Sequence, residues 1–268
     1  MNDGTINLQF SEVIFIQTFN FSSLLLKTSA NVPNTTFLMR VDSPVNIDTQ
    51  FDASTENTDL VVIELSRAQR NLVGGEYDFQ YGTNFSFLTI DNGAVADTSV
   101  LENLFLGTGD VGVQAQTVVA DTTPVVLEYF SIDMTAARVK LYFSKVIDDT
   151  SIDITKMTLQ STGSVSAQSA TIVLSDEYSH IEPYDVTETV LYINFTTLGF
   201  NTIRNFASLA TSKATTYIAL TAAFLNDRAI GRNPMTPITT GNAQLTQTFV
   251  PDYIAPISNN NAYLVVEP

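Results

Sequence analysis

The sequence offers little for acid–base or nucleophilic chemistry. It holds one histidine, His180, and no cysteine. An imidazole proton shuttle therefore depends on a single residue. Thiolate nucleophiles, disulfides and cysteine-held zinc or iron–sulfur centres are out of reach. His180 ends the polar run Ser175-Asp176-Glu177-Tyr178-Ser179-His180, which reads as a loop, and no nucleophile elbow accompanies it. Two carboxylates for glycoside hydrolysis can be composed from the many Asp and Glu. The chain nevertheless has no tryptophan on which a sugar ring would usually stack. The expectation is a protein that is not an enzyme.

What remains is oxygen chemistry. Calcium is the cofactor to consider, because a hard cation wants carboxylate and carbonyl ligands. Asp121, Asp252, Glu12, Asp97 and Asp227 are the candidate donors, all at strand ends or in linkers. No Asp-x-Asp-x-Asp-Gly loop occurs, and the same carboxylates serve equally as turn residues that accept backbone amides. Asp148-Asp149 reads as a turn. Asn34, Asn84 and Asn20 stand in Asn-x-Ser/Thr triplets and are candidate glycosylation sites; Asn194 is a fourth, but it lies in an apolar strand pattern. Asn, Ser and Thr are so abundant that chance alone supplies about this many. Tyr77, Tyr81, Tyr178 and Tyr184 fall in loops or at edges, where a glycan or protein partner would find them.

The elements that must position these residues are strands. Of 268 residues 44% are hydrophobic and only 15% charged, so the chain folds and its polar surface is largely Thr, Ser and Asn. Lys+Arg is 12 against Asp+Glu 28, a net charge of −16, which repels nucleic acid and anionic membranes. The start of the sequence shows no basic run followed by an apolar one, and no window approaches the ~18 apolar residues of a membrane span. The expectation is neither signal peptide nor span in this chain.

The sequence also repeats. Phe10-Ser11-Glu12 matches Phe143-Ser144-Lys145 at an offset of 133, and Asp59 to Ile63 matches Thr189 to Ile193 at 130. Phe87 to Ile90 with Asp97 matches Tyr217 to Leu220 with Asp227, again at 130. Asp121-Thr122-Thr123-Pro124 and Asp252 to Pro256 read as the linkers. In this register Met1 falls on Met134, beyond the apolar strand Val125 to Ile132, so the first repeat has no counterpart to that strand. Pro256-Ile257 and Ala262-Tyr263-Leu264-Val265-Val266 read as the opening strand of a third repeat. The expected division is 1–120 for a repeat lacking its first strand, 121–252 for a complete one, and 253–268 for a linker and the next first strand. The chain then reads as a window on a longer array or, alternatively, as a unit whose last strand completes the next copy.

Thr5 to Phe10 and Arg138 to Phe143 alternate apolar and polar residues, as half-buried strands do. Leu198, Ile203, Phe206 and Leu209 are spaced for a short helix after Thr196-Thr197, with a shorter counterpart at Arg67 to Leu72. About seven short strands per repeat make the expected fold all-β, with tandem Ig-like β-sandwiches each carrying a short crossing helix. At Asp121-Thr122-Thr123-Pro124, Asp133-Met134, Phe10-Ser11-Glu12, Leu25 with Leu159, the 198–209 segment and Gly93-Ala94-Val95-Ala96-Asp97, the sequence resembles the Ig-like tandem repeats of large secreted or cell-surface proteins. Val125, Lys145 and Tyr253-Ile254 depart from that pattern. The resemblance implies an extracellular structural or adhesive role, as spacers or building blocks of stalks and fibres. The implied partners are other repeats or identical copies, with a surface-displayed glycan- or protein-binding module as the alternative.

Overall fold

The computed structural model describes residues 4–30, 38–41, 46–47, 57–76, 79, 82–182 and 189–255. Asn34, Tyr77, Tyr81, Tyr184 and the Ala262, Tyr263, Leu264, Val265, Val266 strand lie outside the described residues.

The fold is all-β, mostly short strands in antiparallel sheets, with two α-helices of more than a turn among the described residues. In the first half these are β1 (Thr5–Phe15), β2 (Leu24–Lys27), β3 (Leu38–Arg40), β4 (Asn46–Ile47), β5 (Asn57–Glu64), α1 (Arg67–Gly75), β6 (Phe87–Ile90), β7 (Ala96–Asp97) and β8 (Val113–Gln114). In the second they are β9 (Leu127–Asp133), β10 (Arg138–Phe143), β11 (Met157–Gln160), β12 (Thr171–Val173), β13 (Ser179–Ile181), β14 (Val190–Phe195), α2 (Thr197–Arg204), β15 (Tyr217–Leu220), β16 (Gln244–Leu245) and β17 (Thr248–Val250). The first half forms sheets β4-β5-β1-β7 and β3-β2-β6-β8; the second forms β13-β14-β10-β9-β17 and β12-β11-β15-β16. Each half has its own buried cluster, one around Val61, Ile63 and Leu65, the other around Phe130, Leu141 and Ile193.

Sequence dictates these elements locally. On β10 Val139, Leu141 and Phe143 are buried while Arg138, Lys140 and Tyr142 are not, the period-two pattern of a strand with one face on a core. Helix α2 begins where Thr196 Oγ1 accepts from Gly199 N at 3.1 Å. A Cβ at Gly199 would lie 1.9 Å from Tyr178 O, so only glycine lets the helix approach β13 this closely. Helix α1 begins with a capping box between Ser66 and Gln69. It spans nine residues against eight for α2, so the expected shorter counterpart is not shorter. His180, expected in a loop, is on β13 opposite Asn194, because its neighbours complete the edge of β14.

Candidate functional site

Three places carry groups with the potential for function: the joint between the halves, the outer edge of β1, and an aromatic face on the second half's sheet.

At the joint the linker turns on Asp121. Its Oδ1 accepts from Thr123 N at 2.9 Å and Thr123 Oγ1 at 2.6 Å, and Lys145 Nζ reaches Oδ2 at 2.8 Å. The same ammonium lies 2.6 Å from Oδ2 of Asp227 and donates to Thr123 O. Asp227 is only 1% exposed, and its Oδ1 also accepts from Ala229 N and Asn233 N. Burial pushes the Asp121 carboxyl up, but Lys145 and Thr123 together outweigh it and leave the pKa lowered. Thus two of the five candidate calcium donors do converge, and between them sits a lysine cation.

Across the joint Arg67, in the first turn of α1, grips Glu128 with both nitrogens at 2.8 and 2.9 Å and donates to Phe143 O at 2.8 Å. A cavity of about 330 Å3 opens here, and Arg67, Arg70, Lys145 and Arg228 all line it.

The other expected donors are dispersed. Asp97 organises its own loop: Ser99 N, Ser99 Oγ and Asn103 N donate to Oδ1 and Asn103 Nδ2 to Oδ2. Hydrogen bonds from Ser99 and then Asn103 hold its carboxyl below the usual range. Asp227 is bound in the same way by Asn233, so these two are matching loop organisers. Asp252 accepts from Ile254 N and pairs with Arg204 at 3.2 Å. Glu12 is exposed near the end of β1. Among the described residues no group of three or more His, Asp or Glu is gathered to hold a metal ion. Of the acceptor asparagines, Asn20 is exposed and caps a 3-10 turn through Ser22, as Asp153 does through Thr155. Asn84 is exposed and accepts from Gln114 Nε2 at 3.3 Å.

The edge of β1 is where the halves part. Leu65 N donates to Gly4 O as Phe195 N donates to Ala137 O, each at 2.8 Å. Antiparallel pairing alternates, so Ile6 and Leu8 turn their peptide groups toward β5, and Thr5, Asn7 and Gln9 turn theirs to the other edge. On β10 that other edge is filled by β9, with Arg138, Lys140 and Tyr142 opposite Asp133, Ser131 and Tyr129. β9 is itself covered by β17, running parallel to it. Among the described residues no strand pairs with that other edge of β1 over Thr5–Gln9; β5 takes the opposite edge, and β7 joins only at Ile14 and Phe15. The side chains agree. Ile6, Leu8 and Phe10 are only partly buried, whereas Val139, Leu141 and Phe143 are fully so.

A third feature was not read from the sequence. On the outer face of the β14-β10-β9 sheet Tyr129 stacks on Tyr142 at 4.1 Å, Lys140 lies over both Tyr142 and Tyr192, and Arg138 lies over Tyr192. Hydrogen bonding to Tyr142 and then Tyr192 raises the Lys140 pKa. The sequence signal of this feature is the alternation of aromatic and basic residues along one strand face, Arg138, Lys140 and Tyr142. No protein-family model matches the sequence, and no curated protein matches it significantly.

Proposed function

We propose that this chain is a non-enzymatic structural and adhesive segment of an extracellular surface protein, stalk or fibre, built from two Ig-like β-sandwich repeats. The observation that carries the reading is the path of the linker. Asp121 to Pro124 leaves the first half and runs directly into β9, a strand bonded on both sides, to β10 and to β17. A pull along the chain loads those ladder bonds side by side in shear, so the linker is anchored in the core it connects. Lys145, Arg67 and Asn233 tie the joint on both flanks.

The test is single-molecule extension of the 268-residue chain. Two separate unfolding steps are expected, each releasing on the order of 40 nm for ~130 residues at ~3.3–3.6 Å per residue. The step from the second half should need the higher force. A single low-force unravelling would sink the load-bearing reading. Labelling the protein on intact cells of its source would test the surface location, which a purely internal signal would overturn.

One observation favours a second reading, a surface-displayed binding module. The Tyr129, Tyr142 and Tyr192 face, flanked by Lys140 and Arg138, offers flat rings beside hydrogen-bond donors, which suits a sugar. The equivalent positions in the first half are Thr5, Asn7, Gln9 and Val62, which do not. A glycan screen in which binding disappears with Tyr142→Ala would support it; unchanged binding would remove it.

A further inference from the structure

From the open edge of β1 we infer that the first half accepts a strand from a second copy of this chain, and that residues 256–266 of that copy supply it. The inference deepens the structural-repeat reading and rests on it.

The second half shows what the slot holds. There β9 and the residues flanking it bury Val125, Leu127, Phe130, Ile132 and Met134 against the core. It is fixed by the β10 ladder, and Asn233 Nδ2 donates to Asp121 O, Thr236 N to Val125 O, Gln247 N to Phe130 O and Met134 N to Val250 O. At an offset of 130 the counterparts of those flanking residues are Asn103, Leu106, Thr117 and Ala120. Around them the first half displays apolar surface that its twin lacks. Leu104 is 62% and Leu106 90% exposed, where the second half has Pro234 and Thr236. Leu101 and Val119 add 83% and 63%. Exposed apolar side chains gathered beside a strand edge with outward peptide groups mark a docking place for another strand.

The occupant is legible from the same template. In the sequence, residues 121–134 follow the first half as residues 252–266 follow the second. With one residue inserted, Pro256, Ile257, Ala262, Leu264 and Val266 take the places of Pro124, Val125, Phe130, Ile132 and Met134. Only Asn259, in the place of Leu127, is polar among the inward positions. The donor brings a small Ala262 where β9 has Phe130. The acceptor carries Phe19, Phe21 and Phe105 where the second half has Ile152, Ile154 and Met235, so the missing ring volume is on its side. Donor and acceptor surfaces lie on different parts of one chain, so the contact is head-to-tail and propagates as a filament.

The test combines light scattering, electron microscopy and amide exchange on the 268-residue protein across a dilution series at about 0.15 M salt, where like-charge repulsion beyond ~8 Å is screened. Expected are head-to-tail oligomers that grow with concentration, with the Thr5, Asn7 and Gln9 amides protected only in the assembled fraction. Leu264→Asp should weaken association about tenfold or more, with circular dichroism checking that the variant keeps its fold. A synthetic peptide of residues 253–268 should bind the variant and protect the same three amides. Four outcomes overturn the inference: oligomers that survive Leu264→Asp, amides protected at every dilution in a monomer, a peptide that leaves those amides unprotected, or a monomer at all concentrations. Each of these leaves the load-bearing reading standing, since that is decided by the force measurement.

Discussion

The two halves use one strand plan, and β9 separates them. In the second half an inserted strand fills the sheet, and β10 buries Val139, Leu141 and Phe143 completely. In the first, the corresponding Ile6, Leu8 and Phe10 remain partly exposed, and Phe10 meets Phe19 and Phe105 edge-on at 6.0 and 5.9 Å. The lesson is that local strand pattern is not enough to bury a strand. The same alternation yields a fully or a partly buried strand according to whether a neighbouring strand closes the sheet beside it.

The largest expected effect measures that difference directly. Phe143 is 1% exposed, so Phe143→Ala should leave a cavity and cost about 3–5 kcal/mol. Phe10→Ala removes a ring that water already reaches and should cost about 1–2 kcal/mol. Amide exchange resolved by half reads both losses without requiring a single two-state transition. Equal losses in dilute monomer would break the comparison. A Phe10 loss that grows toward the Phe143 value on concentration would sharpen it, because a borrowed strand then covers the ring.

Next in size is the cation at the joint. Lys145→Ala leaves the buried Asp227 without its cation and should destabilise the second half by about 2–3 kcal/mol, less than the ~3–5 kcal/mol of a fully buried pair because Lys145 is partly exposed and Ala229 and Asn233 still bind the carboxylate. Glu12 holds the matching place in the first half, and its removal should change little. The acid response follows with a definite sign. The folded Asp121 carboxyl lies below its ordinary value of 3.8, so its contribution is present above that pH and is lost as pH falls through the lowered value. Acid titration followed by near-ultraviolet dichroism should show the second half weakening below about pH 4, and less steeply in Lys145→Ala. A steeper acid loss in the variant would contradict the assignment.

Much of this architecture was readable from the sequence, for physical reasons. Strand periodicity and the 130 to 133 offsets bring out β1, β2, β5, β6 and their twins, because a buried face demands apolar residues at fixed spacing. Asp97 and Asp227 were singled out correctly as a matching pair, yet their shared task is to hold a loop through Asn103 and Asn233. Spacing cannot tell a carboxylate that binds amides from one that binds a cation. Lys145 registered only as a departure from Glu12, since its partners Asp121 and Asp227 are distant in sequence. His180 looked like a loop residue because polarity alone does not distinguish an exposed edge strand from a loop.

A smaller effect tests whether matching positions are interchangeable. Lys27 is fully buried and donates to Ala30 O at 3.1 Å and Asp110 O at 2.5 Å. Its twin Gln160, equally buried, donates from one amide nitrogen to Thr162 O and Thr240 O at 2.7 and 3.0 Å, and leaves its Oε1 without a partner. An ammonium and an amide thus do one job, tying the end of a central strand to a distant loop. Lys27→Gln and Gln160→Lys should each change stability by no more than about 1 kcal/mol, while Lys27→Met, which orphans both carbonyls, should cost about 1–3 kcal/mol. Chemical denaturation of the three variants decides this, and a Gln160→Lys loss as large as that of Lys27→Met would show that the two sites are not equivalent.

The smallest expected effect concerns how tightly the unequal halves are held together. Arg67 and Glu128 make a two-pronged pair, but both side chains are partly in water, so the pair is worth about 0.5–1 kcal/mol. Arg67 also donates to Phe143 O, the end of the strand that β9 completes. The consequence is directional: α1 of the first half braces the sheet of the second. A double-mutant cycle with Arg67→Ala and Glu128→Ala should return a coupling of about 0.5–1 kcal/mol, and Arg67→Ala alone should cost more than Glu128→Ala because it also frees the Phe143 carbonyl. If the two single losses are equal, the bond to Phe143 contributes nothing and Arg67 acts across the joint through Glu128. If Arg67→Ala speeds exchange at the β9 amides while leaving β5 unchanged, the first half acts as a brace for the second; in the same register the joint between copies would set Thr197, at the start of α2, against Asn260 where Arg67 faces Glu128, with no ion pair between them. A joint between copies would then be weaker than the joint within one by this same small coupling.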